Sequence, residues 1–183
     1  MGHWKTEGGM NKLAIYPGTF DPLTLGHVDL VRRAARIFGR LILAISDGTG
    51  RKQPLFTLDE RRVMAGRLAR DFDNVEVDTF DGLLVDYARR RNCRVLVRGI
   101  RAFSDFEFEF QMALTNRKMA PDLETIFLMP QEMYSTLSSS TVREIARFGG
   151  DLRPFVPDFV RTALERKRAA LNAPARARKK RVP

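Results

Sequence analysis

Short apolar runs alternate with segments of helical periodicity along this chain, and that alternation predicts an α/β fold. The expected architecture is a doubly wound, five-stranded parallel sheet with helices on both faces. The runs at 13–16, 40–45, 75–79, 94–98 and 125–129 are too short for helices and read as buried strands. Each is followed by a turn and then by apolar residues at helical spacing.

The first run leads through a Gly/Pro-rich turn into a helix that starts near Gly26 and continues through 28–38. After the second strand, a loop over 46–54 precedes Thr57-Leu58-Asp59-Glu60, whose spacing is that of a capping box. It opens a helix to about Arg70. The next helices are expected at 83–91, 105–119, 141–148 and 158–168. Phe106-Glu107-Phe108-Glu109-Phe110 alternates like a strand. Phe106, Phe110, Ala113 and Leu114 nevertheless share one helix face, and the length of the segment favours a helix.

A 44% hydrophobic content over 183 residues suffices for one domain with its own core. No run approaches the ~20 apolar residues of a membrane helix, and residues 1–9 lack the apolar centre of a secretory signal. That stretch reads as a flexible leader, with the domain spanning 10–167. Cys93 is the sole cysteine, which suits a reducing, cytoplasmic setting, and it is expected to be small and partly buried. The net charge of +10 is unevenly placed. Residues 166–183 hold eight Lys/Arg and no acid, leaving residues 10–165 with 23 basic and 21 acidic side chains. A nucleic-acid-binding domain would carry its basic face within the fold, so that class is disfavoured. The segment 168–183 reads as a disordered, solubilising tail, with weak binding to RNA or anionic lipid as the alternative.

In an open parallel sheet, ligands bind outside the carboxyl ends of the strands. Gly18 and Thr19, Lys52, Leu83 and Leu84, and Tyr134 to Ser140 follow strands, and Arg98 to Arg101 end one, so all share one edge. His27 lies in the first turn of its helix, where free N–H groups and the positive dipole end suit a phosphate. His27, Lys52, Arg98, Arg101 and Arg143 make that edge cationic, as a polyanion requires. No P-loop motif, metal-ligand spacing or Ser/His/Asp set is present. Such a site suits phosphoryl or nucleotidyl transfer, which need mainly positioning and charge stabilisation.

Thr24-Leu25-Gly26-His27 resembles the T/HxGH signature of the nucleotidyltransferase superfamily. The longer string Tyr16-Pro17-Gly18-Thr19-Phe20-Asp21-Pro22 is similar to the phosphopantetheine adenylyltransferase family. Lys52 before Pro54-Leu55-Phe56-Thr57-Leu58, Val97-Arg98-Gly99-Ile100-Arg101, Asp105-Phe106-Glu107-Phe108-Glu109 and Ser138-Ser139-Ser140-Thr141-Val142-Arg143-Glu144 agree in order, over roughly 10–167. The resemblance implies a Rossmann-like nucleotidyltransferase fold and a transfer of the adenylyl group of ATP to 4'-phosphopantetheine. It implies Mg²⁺ held mainly by ATP phosphates and water, with no metal ligands from the protein, and a homohexamer. It implies catalytic roles for His27, Lys52, Arg98 and Thr19. ATP would meet Thr19, Phe20, His27, Gly99, Arg101, Glu109, Tyr134, Ser135, Thr136, Leu137, Ser138, Ser139 and Ser140. Phosphopantetheine would meet Thr19, Lys52, Leu83, Leu84, Arg98 and Asn116.

Several alternatives stay open on the sequence. Ser46 to Pro54 departs from the family's usual loop, and Arg51 could stand in for Lys52. Thr141-x-x-Glu144 is itself a capping box, so the serine turn could cap its helix, bind phosphate, or both. Nicotinate mononucleotide adenylyltransferases share the TxGH or HxGH motif and are the nearest competing family. A nucleic-acid-binding protein acting through the basic tail is the competing class.

Overall fold

The computed structural model describes residues 12–48, 54–101 and 103–172. Strands β1 (Leu13–Gly18), β2 (Arg40–Ser46), β3 (Val75–Phe80), β4 (Val95–Gly99) and β5 (Glu124–Leu128) form one sheet in the order β3-β2-β1-β4-β5. Every pairing is parallel. Helices α1 (Leu25–Ile37), α2 (Leu58–Ala69), α3 (Leu84–Arg90), α4 (Phe103–Met119), α5 (Ser139–Phe148) and α6 (Asp158–Asn172) cover it. The order of the elements agrees with the reading of the sequence.

The period-2 alternation of the strands divides the core in two. Ala14, Tyr16, Leu41, Leu43, Ile45 and Val97 face α1, α2, α5 and α6, where Leu30, Val31, Met64, Val142 and Val160 meet them. Ile15, Ile42, Ala44 and Leu96 face the other way, toward Val85, Ala88, Ala120 and Leu123. The central strands are apolar on both faces because both faces are covered. Cys93 is buried and donates its thiol to the carbonyls of Leu13 and Val95, each at 3.3 Å.

Two expectations need correction. Helix α5 begins at Ser139 because Ser138, in extended backbone, accepts the Thr141 amide and caps it; the Thr141–Glu144 box is not the cap. Helix α6 runs on to Asn172, so the stretch assigned to a disordered tail begins inside a helix rich in good helix formers. The helical reading of 105–119 holds, but the apolar face of α4 is not buried in this chain: Phe106, Phe110 and Leu114 are exposed. Residues 1–9, and the remainder of the expected tail from 173, lie outside the described residues.

Strand β4 can pass close to α1 only because Gly99 lacks a side chain. A Cβ there would lie 2.4 Å from Cδ1 of the buried Leu30, so one of the two would have to shift. Gly99→Ala should therefore cost about 1–3 kcal/mol by overpacking, read by urea unfolding. The same substitution in a Leu30→Ala background should cost clearly less, since the two side chains compete for one space.

Candidate active site

The order of the strands reverses between β1 and β4, and a crevice opens at their carboxyl ends. A cavity of about 570 Å³ occupies it. From β1 and the turn after it come Tyr16, Pro17, Gly18, Thr19, Phe20 and Asp21. From β4 and the start of α4 come Arg98, Gly99, Arg101, Asp105, Phe108 and Glu109, and from the start of α5 come Leu137 to Ser140 and Arg143.

His27 enters from α1. Thr24 is the N-cap and His27 is the third residue of the helix, so the two form a capping box with imidazole in place of the usual carboxylate. The Thr24 amide donates to His27 Nδ1 at 3.0 Å. An amide is always a donor, so Nδ1 must be unprotonated, and the neutral ring carries its proton on Nε2. Burial holds His27 well below its ordinary value, at about 4, with the charges of Arg101 and Arg98 adding to the effect. The ring is thus a neutral donor at physiological pH. Its spacing was legible in the sequence; its second role as helix cap was not, because the usual box has Glu or Gln at that position.

Phe20 supports this arrangement. It is buried at a left-handed φ of +49°, unusual for a side chain of its size. Its ring meets Tyr16 and His27 edge-on at 5.5 and 5.2 Å.

The arginines of the cavity are each held by a carboxylate. Arg98 grips Glu109 with Nε and Nη2 at 2.7 and 2.6 Å, and its Nη1 donates to the Pro17 carbonyl at 2.8 Å. Burial would lower the Arg98 pKa, but the hydrogen bonds and charge of Glu109 outweigh it and raise the value. Arg101 pairs with Asp105 at 2.8 and 3.0 Å and donates to the Leu137 carbonyl at 2.8 Å. Arg143 donates to the Asp21 carbonyl and pairs with its carboxylate at 3.4 Å. The bidentate forks fix the cations in direction as well as place. Opposite them, the hydroxyls of Ser140 and Thr141 lie 2.8 and 2.7 Å from Ser138 Oγ at the start of α5, where a helix leaves N–H groups without internal acceptors.

Comparison with known proteins agrees with this geometry. Residues 15–145 match the Cytidylyltransferase-like family model. A curated phosphopantetheine adenylyltransferase of Methylococcus capsulatus is 58% identical over 158 residues, 86% of this chain and 97% of the relative. The chain belongs to the phosphopantetheine adenylyltransferase family. A second member, from Azoarcus sp., is 54% identical over 85% of this chain and 94% of its own length. The nicotinic acid mononucleotide adenylyltransferase of Plasmodium falciparum, solved with NaAD, superposes with a TM-score of 0.63 over 88% of this chain and 96% of that one, at 12% identity, which shows the fold.

Of the residues matched to the family's site, Thr19, Phe20, His27, Arg98, Gly99, Arg101, Glu109, Leu137, Ser138, Ser139 and Ser140 meet at the cavity. Gly99 is there, but the Cβ it lacks would face Leu30 rather than an approaching anion. Leu83 and Leu84 do not line this cavity. They follow β3, the edge strand farthest from the crevice; Leu83 is exposed and Leu84 packs under the sheet. Asn116 is buried on α4, about 10 Å along the helix from Glu109. Tyr134, Ser135 and Thr136 also lie outside the lining, in and just after a 3-10 turn (Glu132–Tyr134), where Tyr134 packs on the core beside Gly26. Lys52 and Arg51 lie outside the described residues. Asp21, Asp105 and Phe108 line the cavity without having been singled out as site residues. Asp21 accepts the Leu55 and Phe56 amides, each at 2.8 Å, and nothing local in the sequence announces contacts across that distance.

The depressed pKa of His27 has a consequence for stability. In the unfolded chain His27 protonates below ~6.5, whereas the folded ring stays neutral down to about 4. The unfolded state therefore binds more protons in that window, and stability falls as pH falls through it. Compared with His27→Gln in urea unfolding, the wild-type advantage should shrink steadily from pH ~6.5 to about 4 and then level off. A constant gap would mean that the ring titrates normally.

Proposed function

We propose that the chain transfers the adenylyl group of ATP to 4'-phosphopantetheine, forming dephospho-coenzyme A and releasing pyrophosphate. The observation that carries this reading is the 58% identity to a curated phosphopantetheine adenylyltransferase across 97% of its length. The cationic cavity at the β1/β4 crevice supports it chemically.

In this reading a phosphate oxygen of the acceptor attacks the α-phosphorus of ATP in line, without a covalent enzyme intermediate. The new P–O bond forms as the bond from the α-phosphorus to the α,β-bridging oxygen breaks, and pyrophosphate leaves with that electron pair. The attacking phosphate is already ionised at neutral pH, so no general base is needed. His27 Nε2–H donates to the α-phosphate oxygens, where charge accumulates. The Thr19 hydroxyl holds the reacting phosphate. Arg98, kept in orientation by Glu109, faces the acceptor phosphate. Arg101 and the Ser138–Ser140 turn take the β- and γ-phosphates. Lys52, or Arg51 in its stead, acts on the acceptor phosphate by its match to the family motif.

Mg²⁺ accompanies ATP in this reading, bound to phosphate oxygens and water. The carboxylates lining the cavity, Asp21, Asp105 and Glu109, are each paired with an arginine, which leaves them poor metal ligands. A homo-oligomer, as a hexamer, is part of the same proposal. The exposed Phe106, Phe110 and Leu114, on one face of α4, make an apolar surface that a second copy would cover. No helix among the described residues is long and apolar enough to cross a membrane. A cytoplasmic location completes the reading, supported by the free thiol of Cys93.

Pyrophosphate release should be much faster with ATP and phosphopantetheine than with ATP and nicotinate mononucleotide. The reverse order would leave only the superfamily. His27→Ala should lower kcat on the order of 10²–10³-fold while ATP affinity changes little. The same variant should lose about 1 kcal/mol of stability, since it also removes half of a capping box. Leu114→Asp should shift sedimentation velocity toward smaller species; an unchanged profile would exclude α4 from the interface.

A further inference from the structure

Arg61 is the largest side chain with almost no solvent exposure in the described chain, at 1%. It lies on α2, away from the lining of the cavity. A buried guanidinium is costly unless its N–H groups are satisfied. Here they are satisfied by backbone carbonyls. Nη1 donates to Thr19 at 2.9 Å and to Ser46 at 2.6 Å, Nη2 to Asp47 at 2.9 Å, and Nε to Phe56 at 3.2 Å. These carbonyls belong to the turn after β1, the end of β2 and the entry to α2. Asp21 takes the opposite side of the last segment, through the amides of Leu55 and Phe56. The Phe56 backbone is thus held through its N–H by Asp21 and through its C=O by Arg61.

We propose that Arg61 is a positioning residue for the transfer reaction: it fixes the backbone of Thr19, and the two ends of the loop between β2 and α2, relative to the reacting phosphate. The inference rests on the adenylyl-transfer reading above. The planar fork has five N–H groups and serves four carbonyls on three segments, one more than the three N–H groups of a lysine could serve. Thr19 lines the cavity while its carbonyl is tied behind to Arg61. A small displacement of such a group is felt in the chemical step more than in binding, because reacting atoms must be held to within a fraction of an ångström.

The test compares wild type with Arg61→Lys and Arg61→Met on the acceptor that wild type uses best. A wrong acceptor assignment then shows in wild type alone and leaves the comparison intact. Rates are taken per ATP-binding site, counted by calorimetry, at a temperature where circular dichroism shows each variant folded. The expected result is a kcat lowered ~10–100-fold in both variants, with KM for ATP within ~3-fold of wild type. A role in folding alone would lower the melting temperature and the number of competent sites but leave kcat per site unchanged, and that result overturns the proposal. Loss of fold in both variants overturns it as well.

Discussion

Strand β1 pairs on both sides, with β2 through the register from Leu13 opposite Arg40 to Gly18 opposite Ile45, and with β4 through Ile15 opposite Leu96. All connections are parallel, so every strand delivers its following loop to the same edge. Because the order reverses beside β1, the loops after β1 and β4 must diverge to opposite faces, and a crevice is left between them. The polar groups of the cavity occupy that crevice: Thr19 and His27 come from the turn after β1 and the start of α1, Arg98 and Arg101 from the end of β4 and the turn after it.

The loops above the sheet lack the regular ladders that satisfy backbone groups within it. Charged side chains do that work instead. Asp21 accepts two amides, Asp29 accepts the Gln131 amide at 3.1 Å, and Arg61 collects four carbonyls. All but the bond from Arg61 to Phe56 join segments distant in sequence, which braces a rim built from turns. A braced rim suits nucleotidyl transfer, in which the protein contributes mainly position and preorganised charge.

The electrostatics follow the same economy. Arginines gathered at one edge would repel one another, yet each is neutralised by a carboxylate from a neighbouring turn of chain. The pairs set the direction of the guanidinium groups before any substrate arrives. His27 is treated in the opposite way: half-buried and desolvated beside Arg98 and Arg101, it stays uncharged and serves as a donor. One small cavity thus holds permanent cations and a neutral imidazole, each suited to a different part of a polyphosphate.

The amino-acid sequence by itself determined the class of fold, the order of the elements and the edge on which the site lies. Those follow from local periodicity, and from the rule that parallel strands share a carboxyl end. It also determined the nucleotidyltransferase motifs, because Thr19, His27, Arg98, Arg101 and the serine turn are contiguous strings. Only the tertiary structure decided the strand order, and with it which of the marked residues meet. Leu83 and Leu84, at the carboxyl end of an edge strand, do not line the cavity, whereas Arg98, near the carboxyl end of β4, does. The roles of Asp21 and Arg61 were equally hidden, since their partners lie as many as 122 and 42 positions away. A helical arginine reads as solvated by default. Whether it instead becomes a buried clamp depends on carbonyls that only the folded loops bring together.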